Sequence, residues 1–429
     1  MTIDNLYSKF LQVDGISTDT RDIQKNTLYF ALKGANFNGN KFAQSAIEVG
    51  AKYAIVDEKE FANESQGIYY VENTLLTLQN LARHHRQQLN IPVIGLTGSN
   101  GKTTTKELIL TVLSKKYKVV ATKGNLNNHI GVPLTLLSIS PNHEFAIVEM
   151  GANHLHEIES LCSIAQPDFG YITNFGKAHL EGFGSEEGVI KGKSELYQYL
   201  KNNNKTVFVN GNDKKQVEQT KGMKKITFGS LPDTHYTFKY TESLHGNCPK
   251  IIYESIHIQS QLVGEYNANN VAAAIAIGLN FDIEINEIKT AIESYKSDNN
   301  RSQTIQLKDQ EIILDAYNAN PSSMEAALIN FSKILNDKAI ILGDMFELGE
   351  YANEEHQKIV DLAIELKFDS IFCIGNHFSK VNLPKNSNHK LFIDRVEAEN
   401  YFRDNKIKET HVLIKGSRGM ALEKLLSVL

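Results

Sequence analysis

The sequence predicts an α/β protein of three domains, each built on a sheet of mostly parallel strands. Two observations carry that expectation. Short Val- and Ile-rich runs alternate with helical patterns along most of the 429-residue chain, the rhythm of parallel strands covered on both faces. That rhythm breaks twice, at the polar stretch "RHHRQQLN" before Pro92 and at "SYKSDNNRSQ", 294–303. The expected domains are therefore 1–88, 89–299 and 300–429.

In the first segment, "LYFAL" (Leu28–Leu32), "YAIVD" (Tyr53–Asp57) and "IYYVE" (Ile68–Glu72) read as short buried strands. Helical patterns at about 40–50 and 74–89 complete a small α/β unit. In the second segment the strand candidates are "IPVIGLT", "YKVVAT", "EFAIVEM", "FGYITN" and "TVFVN". Helices fit between them at about 103–115, 155–165 and 186–200, and "NANNVAAAIAIGL" (Asn267–Leu279) reads as a helix packed through small residues. The third segment resumes the alternation with "EIILDAY", "KAIILGDM", "SIFCIGN" and "HVLIKGS", each expected to lead into a helix. Its pattern is Rossmann-like, yet no G-x-G-x-x-G opens its first turn, so no dinucleotide site is assigned to it.

A net charge of -5 argues against a general nucleic-acid binder, which would show a basic face. Cys162, Cys248 and Cys373 lack disulfide or zinc spacing and are expected as reduced thiols. The start, "MTIDNLYSKFLQVDG", is acidic and without the apolar centre of a signal peptide. No apolar run approaches the ~20 residues that cross a bilayer. A cytoplasmic protein without membrane or nucleic-acid partners is expected.

One stretch announces chemistry. "IPVIGLTGSNGKTTTKELIL" (Ile91–Leu110) runs from an apolar strand through a glycine-rich turn into a helix. Gly98 and Gly101 let successive N–H groups point inward, and the helix N-terminus adds its positive end. Lys102 can reach the outer phosphates of ATP, and the Thr103 hydroxyl can meet Mg²⁺. Leu96 stands where the strict P-loop pattern has its first glycine, so the match is to a shorter T-G-x-x-G-K-T form. The central domain is accordingly expected to be a P-loop ATPase domain.

Other candidates follow. Glu149 ends a buried strand, where a carboxylate faces the loop and can hold Mg²⁺ or can cap the next helix. His179 is expected on the glycine-rich loop of "ITNFGKAHLEGFGS", and "GVIKGKSELY" places Lys191 and Lys193 on the helix after it. Taken singly, a structural histidine and surface lysines are the ordinary readings.

The ordered set TGSNGKT, VEMGAN, TNFGKAHLEGFGS, IKGKSELY, GEYNANN, DAYNANPSS, GDMFELGE and LIKGSRGM resembles the Mur ligase family from end to end. "DAYNANPSSM" and "GDMFELGE" resemble the branch that adds D-Ala-D-Ala; branches adding one amino acid read D-Y-A-H-N-P here. The resemblance implies an ATP-dependent amide ligase joining D-Ala-D-Ala to UDP-N-acetylmuramoyl-tripeptide through an acyl phosphate, in cell-wall precursor synthesis. It implies that Gly98, Ser99, Asn100, Gly101, Lys102, Thr103 and Thr104 hold the phosphates. Thr103 and Glu149 would hold one Mg²⁺ and His179 a second. Lys193 would carry CO₂ as a carbamate, with Lys191 as the competing candidate. Asn267 and Asn270 would meet adenine, and Arg301 and Asp315 the nucleotide's phosphate or ribose. Asn318, Asn320 and Pro321 would lie near the γ-phosphate and the dipeptide. The first domain would bind the UDP-sugar through Ser17, Asp19 and Arg21, with Asn127 and Asn128 lining the substrate cleft. Asn26 replaces a usual glycine, and "NFNGNKF" departs from the common D-G-H-x-F. A monomer is expected. The alternatives are a sibling ligase adding another amino acid or a glutamate to folate, a P-loop kinase or switch, and a non-catalytic nucleotide-binding module.

Overall fold

The computed structural model describes residues 1–241, 248–384 and 388–429. Among them the strands form three principal sheets, one in each successive part of the chain. The first has four parallel strands in the order Gly15–Ser17, Thr27–Phe30, Tyr53–Val56, Ile68–Tyr70. The expected runs at 28, 53 and 68 are strands. The strand at 15–17 and the helix Ile3–Phe10 are additions that the apolar pattern did not announce.

The second sheet has nine strands and places the site. The phosphate-loop strand Val93–Thr97 lies between Phe145–Glu149 and Phe169–Ile172, parallel to both. Val119–Ala121 flanks it beyond Phe145–Glu149, and Thr206–Asn210 and Lys225–Gly229 lie beyond Phe169–Ile172. The chain thus builds outward on one side of the loop strand and then on the other. Such a reversal opens a crevice at the strands' carboxyl ends, the usual ligand position in this architecture. Strands Tyr236–Thr241, Lys250–Tyr253 and Ile256–Gln259 extend the sheet, the last two antiparallel.

The third sheet runs Gln303–Leu307, Gln310–Asp315, His411–Lys415, Lys338–Gly343, Ser370–Ile374, His389–Phe392, parallel except for its first pair. Two expected helices are corrections: among the described residues "SIFCIGN" leads into a 3₁₀ turn, Phe378–Lys380, and then the strand His389–Phe392, and after "HVLIKGS" the chain makes two 3₁₀ segments, Arg418–Met420 and Leu422–Ser427. Leu422 and Leu425 are buried against the sheet, so short turns suffice to cover its end.

Two helices tie the parts together. Thr74–Gln88 packs on Ile3–Phe10 and also on Gly131–Leu137 and Glu157–Ala165 of the central part. Its Arg86 is buried and donates to Asp168 Oδ2 at 2.7 Å and to the carbonyls of Ala165 and Gln166. A buried ion pair with its remaining donors satisfied fixes the register between these parts. Pro321–Ser332 starts with Asn320 as N-cap, a reciprocal Ser323 bond, and Pro321 at its first turn. Among the described residues no helix is long and apolar enough to cross a membrane.

Candidate active site

The phosphate loop is held in shape from outside. Ser99 N–H donates to Asn174 O at 3.1 Å, Asn100 N–H to Asn174 Oδ1 at 3.1 Å, and Asn174 Nδ2 returns a bond to Asn100 O at 3.0 Å. Ser99 Oγ donates to Gly176 O at 2.9 Å, and Thr173 Oγ1 donates to Asn100 O. Gly98 takes φ +141°, and a Cβ there would run into the Thr173 hydroxyl. Gly101 takes φ +78°, and a Cβ would lie 2.6 Å from Asn270 Oδ1. Both glycines are therefore required by conformation and by contact. Gly98→Ala is expected to displace the loop and raise the KM for ATP at least tenfold, with about 1–3 kcal/mol lost from strain and overpacking. Nucleotide titration and thermal unfolding of the variant check this.

Lys102 folds back on the loop, donating from Nζ to Gly98 O at 2.6 Å and Ser99 O at 3.3 Å. Burial lowers its pKa to about 8, opposed by the charge of Glu149. Glu149 is 1% exposed. Its Oε1 accepts from Asn127 Nδ2 at 2.8 Å and from Thr103 Oγ1 at 3.3 Å. Its Oε2 is buried with no hydrogen-bond partner among the described residues. A buried carboxylate oxygen left open beside a P-loop threonine is a socket for a hard cation. No cluster of three His, Cys, Asp or Glu side chains suited to a metal occurs among the described residues. The Glu149 carboxylate and the Thr103 hydroxyl fit Mg²⁺, which takes one or two carboxylates and completes its shell with phosphate and water.

Sequence reasoning placed Asn127 and Asn128 in the substrate cleft. Both line the cavity, and each also has an internal task. Asn127 orients Glu149, and Asn128 Oδ1 accepts from the N–H groups of Ile130 and Gly131 at 3.1 and 2.9 Å.

The helix Glu186–Asn202 starts on Ser185, whose side chain accepts from Gly188 N–H at 3.1 Å. Its phase buries Lys193 completely and exposes Lys191. Lys193 Nζ donates to Ala152 O at 2.8 Å and lies 5.0 Å from the centre of the Phe183 ring. Burial, helped by the charge of Lys102, holds its pKa well below the ordinary lysine value. Lys193 stands behind the cavity wall, of which Ala152 is part. His179 lies on the loop as expected, immediately before the short helix Leu180–Phe183, with φ +54°. Its Nδ1 pairs with the carboxylate of Glu347 from the third part of the chain. Burial lowers its pKa, with the Glu347 bond opposing.

The third part closes the site. A cavity of about 980 Å³ is lined by the phosphate loop, Glu149 and His179 on one side and Arg301, Asp315, Asn318 and Asn320 on the other. Arg301 stacks over the Tyr317 ring, 3.7 Å from its centre, and its Nε is buried without a partner among the described residues. Asp315 pairs with buried Lys415. Asn267 and Asn270 also line the cavity. Asn270 Nδ2 donates to Asn267 Oδ1 at 2.8 Å, and Asn270 Oδ1 accepts from Thr105 Oγ1 at 3.0 Å, so much of their polarity braces the loop helix. Ser17, Asp19 and Arg21 lie away from this cavity. Asp19 caps the turn Thr20–Asp22 and pairs with the Arg21 guanidinium at 2.6 Å. The sequence reading did not single out Glu347, Ser322, Tyr317, Lys415 or the loop-bracing Thr173 and Asn174. All lie in or beside quoted motifs, but their partners are distant in the chain.

A nucleotide cradle, an acidic socket and a third domain closing over both define a ligase site of the P-loop type, and the chain belongs to the Mur ligase family. Residues 96–278 match the Mur ligase middle domain, 300–418 the Mur ligase glutamate ligase domain, and 12–96 the family's catalytic domain. The chain is 34% identical to UDP-N-acetylmuramoyl-tripeptide–D-alanyl-D-alanine ligase of Bacillus subtilis, over 96% of this chain and 92% of that one. Its fold superposes on a crystal structure of MurF from Acinetobacter baumannii with a TM-score of 0.87 and 30% identity, covering 99% and 98% of the two chains. MurF ligase from Thermotoga maritima in complex with ADP gives 0.84 and 25%, covering 98% and 97%.

Proposed function

We propose that this chain joins D-Ala-D-Ala to the terminal carboxylate of UDP-N-acetylmuramoyl-tripeptide, with ATP converted to ADP and phosphate. The observation that carries the reading is the cavity in which the phosphate loop and Glu149 face Arg301, Asp315 and Asn318. Full-length relatives bearing that activity in their name support the choice of substrates. We assign 1–88 to the UDP-substrate, with Ser17, Asp19 and Arg21 as contacts, 89–299 to ATP, and 300–429 to closure and the incoming amine. The enzyme works as a monomer in the cytoplasm, where ATP and a nucleotide-linked precursor meet.

In the reaction a carboxylate oxygen of the tripeptide attacks the γ-phosphorus, and ADP leaves. The dipeptide's amine then attacks the carbonyl carbon of the acyl phosphate. The tetrahedral intermediate expels phosphate, and the nitrogen loses a proton. The N–H groups from Gly101 to Thr104 and Lys102 stabilise charge on the transferring group, whereas those of Ser99 and Asn100, expected to hold phosphate, are committed to Asn174. Arg301 and Asp315 orient the nucleotide, and Asn267 and Asn270 hold the loop helix beneath the adenine. Domain closure keeps water from the acyl phosphate. Thr103 and Glu149 fit one Mg²⁺, and His179 with a carbamate on Lys193 would hold a second; bound there, the ions neutralise phosphate charge. Carbamylation needs a neutral amine, and burial of Lys193 lowers its pKa in the direction that favours one.

The product tests the reading. Mass spectrometry is expected to show a UDP-linked pentapeptide from D-Ala-D-Ala and little product from L-Ala-L-Ala. Addition of diaminopimelate or lysine to a shorter precursor, with D-Ala-D-Ala unused, would move the chain to a sibling activity.

A further inference from the structure

The segment "YNANPSS" of the third domain meets the central domain at the tip of the phosphate loop. Asn320 Nδ2 donates to Asn100 Oδ1 at 2.7 Å, across 220 residues of chain. Two residues on, Ser322 Oγ accepts from Lys177 N–H at 2.7 Å. Gly176 lies between these bonds: a Cβ there would be 3.0 Å from Ser322 Oγ and 3.1 Å from Asn100 Nδ2. Asn320 is 5% exposed, and its amide has one orientation available. Its Oδ1 accepts from Ser323 N–H at 3.0 Å as the helix cap, which leaves Nδ2 facing Asn100. Asn100 is equally fixed, since its own N–H and C=O are tied to Asn174 and Thr173. A rigid helix start therefore meets a rigid loop tip. Nearby, the "GDMFELGE" segment adds a further contact, with Glu347 on His179 and Glu347 O accepting from Glu181 N–H at 3.2 Å.

We infer that Asn320, Ser322 and Asn100 form a clasp that registers the third domain on the phosphate loop, and that Asn320 is a positioning residue rather than a contact for the dipeptide. The clasp forms only when the domains are closed. It sets the distance between the acyl group made at the loop and the amine carried by the third domain. Exposed Asn318 remains free on the cavity wall for the amine substrate. The inference rests on the amide-ligase reading, because register matters only when two reacting groups arrive on different domains.

The clasp bonds the Asn100 side chain and the Lys177 N–H and takes no bond from Gly98, Lys102 or Thr103. Its loss is therefore expected in turnover and coupling, not in nucleotide affinity. Two variants isolate it. Asn320→Ser keeps a capping oxygen but cannot reach Asn100. Asn100→Ala removes the acceptor and leaves the loop backbone intact. Gly176→Ala, which wedges the same contact, should act in the same direction with a smaller effect.

The full-length enzyme and each variant are compared in three measurements: ADP affinity by calorimetry, kcat for amide formation, and phosphate released per amide bond. Wild type must first form the amide with one phosphate per bond; failure there overturns the ligase reading itself, not the clasp. In Asn320→Ser and Asn100→Ala, ADP affinity is expected to stay within about twofold. Ligation is expected to fall roughly ten- to hundredfold, as for a misregistered reacting pair. Phosphate per bond should rise above one as the acyl phosphate meets water. Wild-type rate and coupling in both variants would overturn the clasp. So would a loss of ADP affinity as large as the loss of rate, because the pair would then only shape the loop.

Discussion

Lys193→Ala is expected to abolish most ligase activity, and added acetate or formate to restore part of it. The side chain is completely buried, and its amine is bonded to Ala152 O. An ammonium repels Mg²⁺ and has no lone pair to offer, so a lysine in a metal shell must first change character. A carbamate supplies two oxygens and a negative charge, the donor type Mg²⁺ prefers. The alanine variant leaves a space that a small carboxylate can enter. Exposed Lys191 is the control, and Lys191→Ala should lose far less. Carbon-13 spectra in labelled bicarbonate should show a carbamate signal in wild type that Lys193→Ala lacks. Full activity of Lys193→Ala in CO₂-free buffer, or collapse confined to Lys191→Ala, contradicts the assignment.

Lys102→Ala should cost about 10²–10³ in kcat, the usual cost of removing one preorganised charge from a developing anion. In the structure its ammonium lies against the loop's own carbonyls, 2.6 Å from Gly98 O, where a phosphate would draw it away. Binding of the UDP-substrate should persist, since its proposed contacts Ser17, Asp19 and Arg21 lie on the first sheet's side and away from the cavity. Steady-state kinetics together with direct binding of the UDP-substrate separate the two effects. Near-normal turnover would reduce the loop to a structural turn.

What the sequence disclosed follows from how each feature is stabilised. Val93–Thr97, Phe145–Glu149 and Thr206–Asn210 are buried along their whole length, so their apolar runs are uninterrupted and easy to read. Tyr236–Thr241, Lys250–Tyr253 and Ile256–Gln259 form the partly exposed edge of the same sheet. Their side chains alternate weakly with solvent, and the pattern disappears among polar neighbours. Gln303–Leu307 is half-exposed and was hidden for the same reason.

The motif left Lys191 and Lys193 as competing candidates, and helix phase separates them by burial. Val189, Lys193, Leu196 and Leu200 fall at helical spacing on one buried stripe, and Lys191 lies outside it. The phosphate loop was legible because its residues are contiguous. The pairs Asn100–Asn320 and His179–Glu347 were not, since 220 and 168 residues separate the partners. Asn127 illustrates the middle case. The motif marked it as a cleft residue, and the fold adds its bond to Glu149 Oε1.

The central claim is that ATP activates a substrate carboxylate for capture by an amine in one closed site. Oxygen transfer tests it most directly. UDP-N-acetylmuramoyl-tripeptide labelled with heavy oxygen in its terminal carboxylate is incubated with ATP, Mg²⁺ and D-Ala-D-Ala, and the released phosphate is analysed by mass. The account predicts that one labelled oxygen appears in inorganic phosphate for every amide bond formed, and that omission of the dipeptide stops sustained phosphate release. Phosphate free of label, or steady ATP hydrolysis indifferent to both substrates, would contradict it.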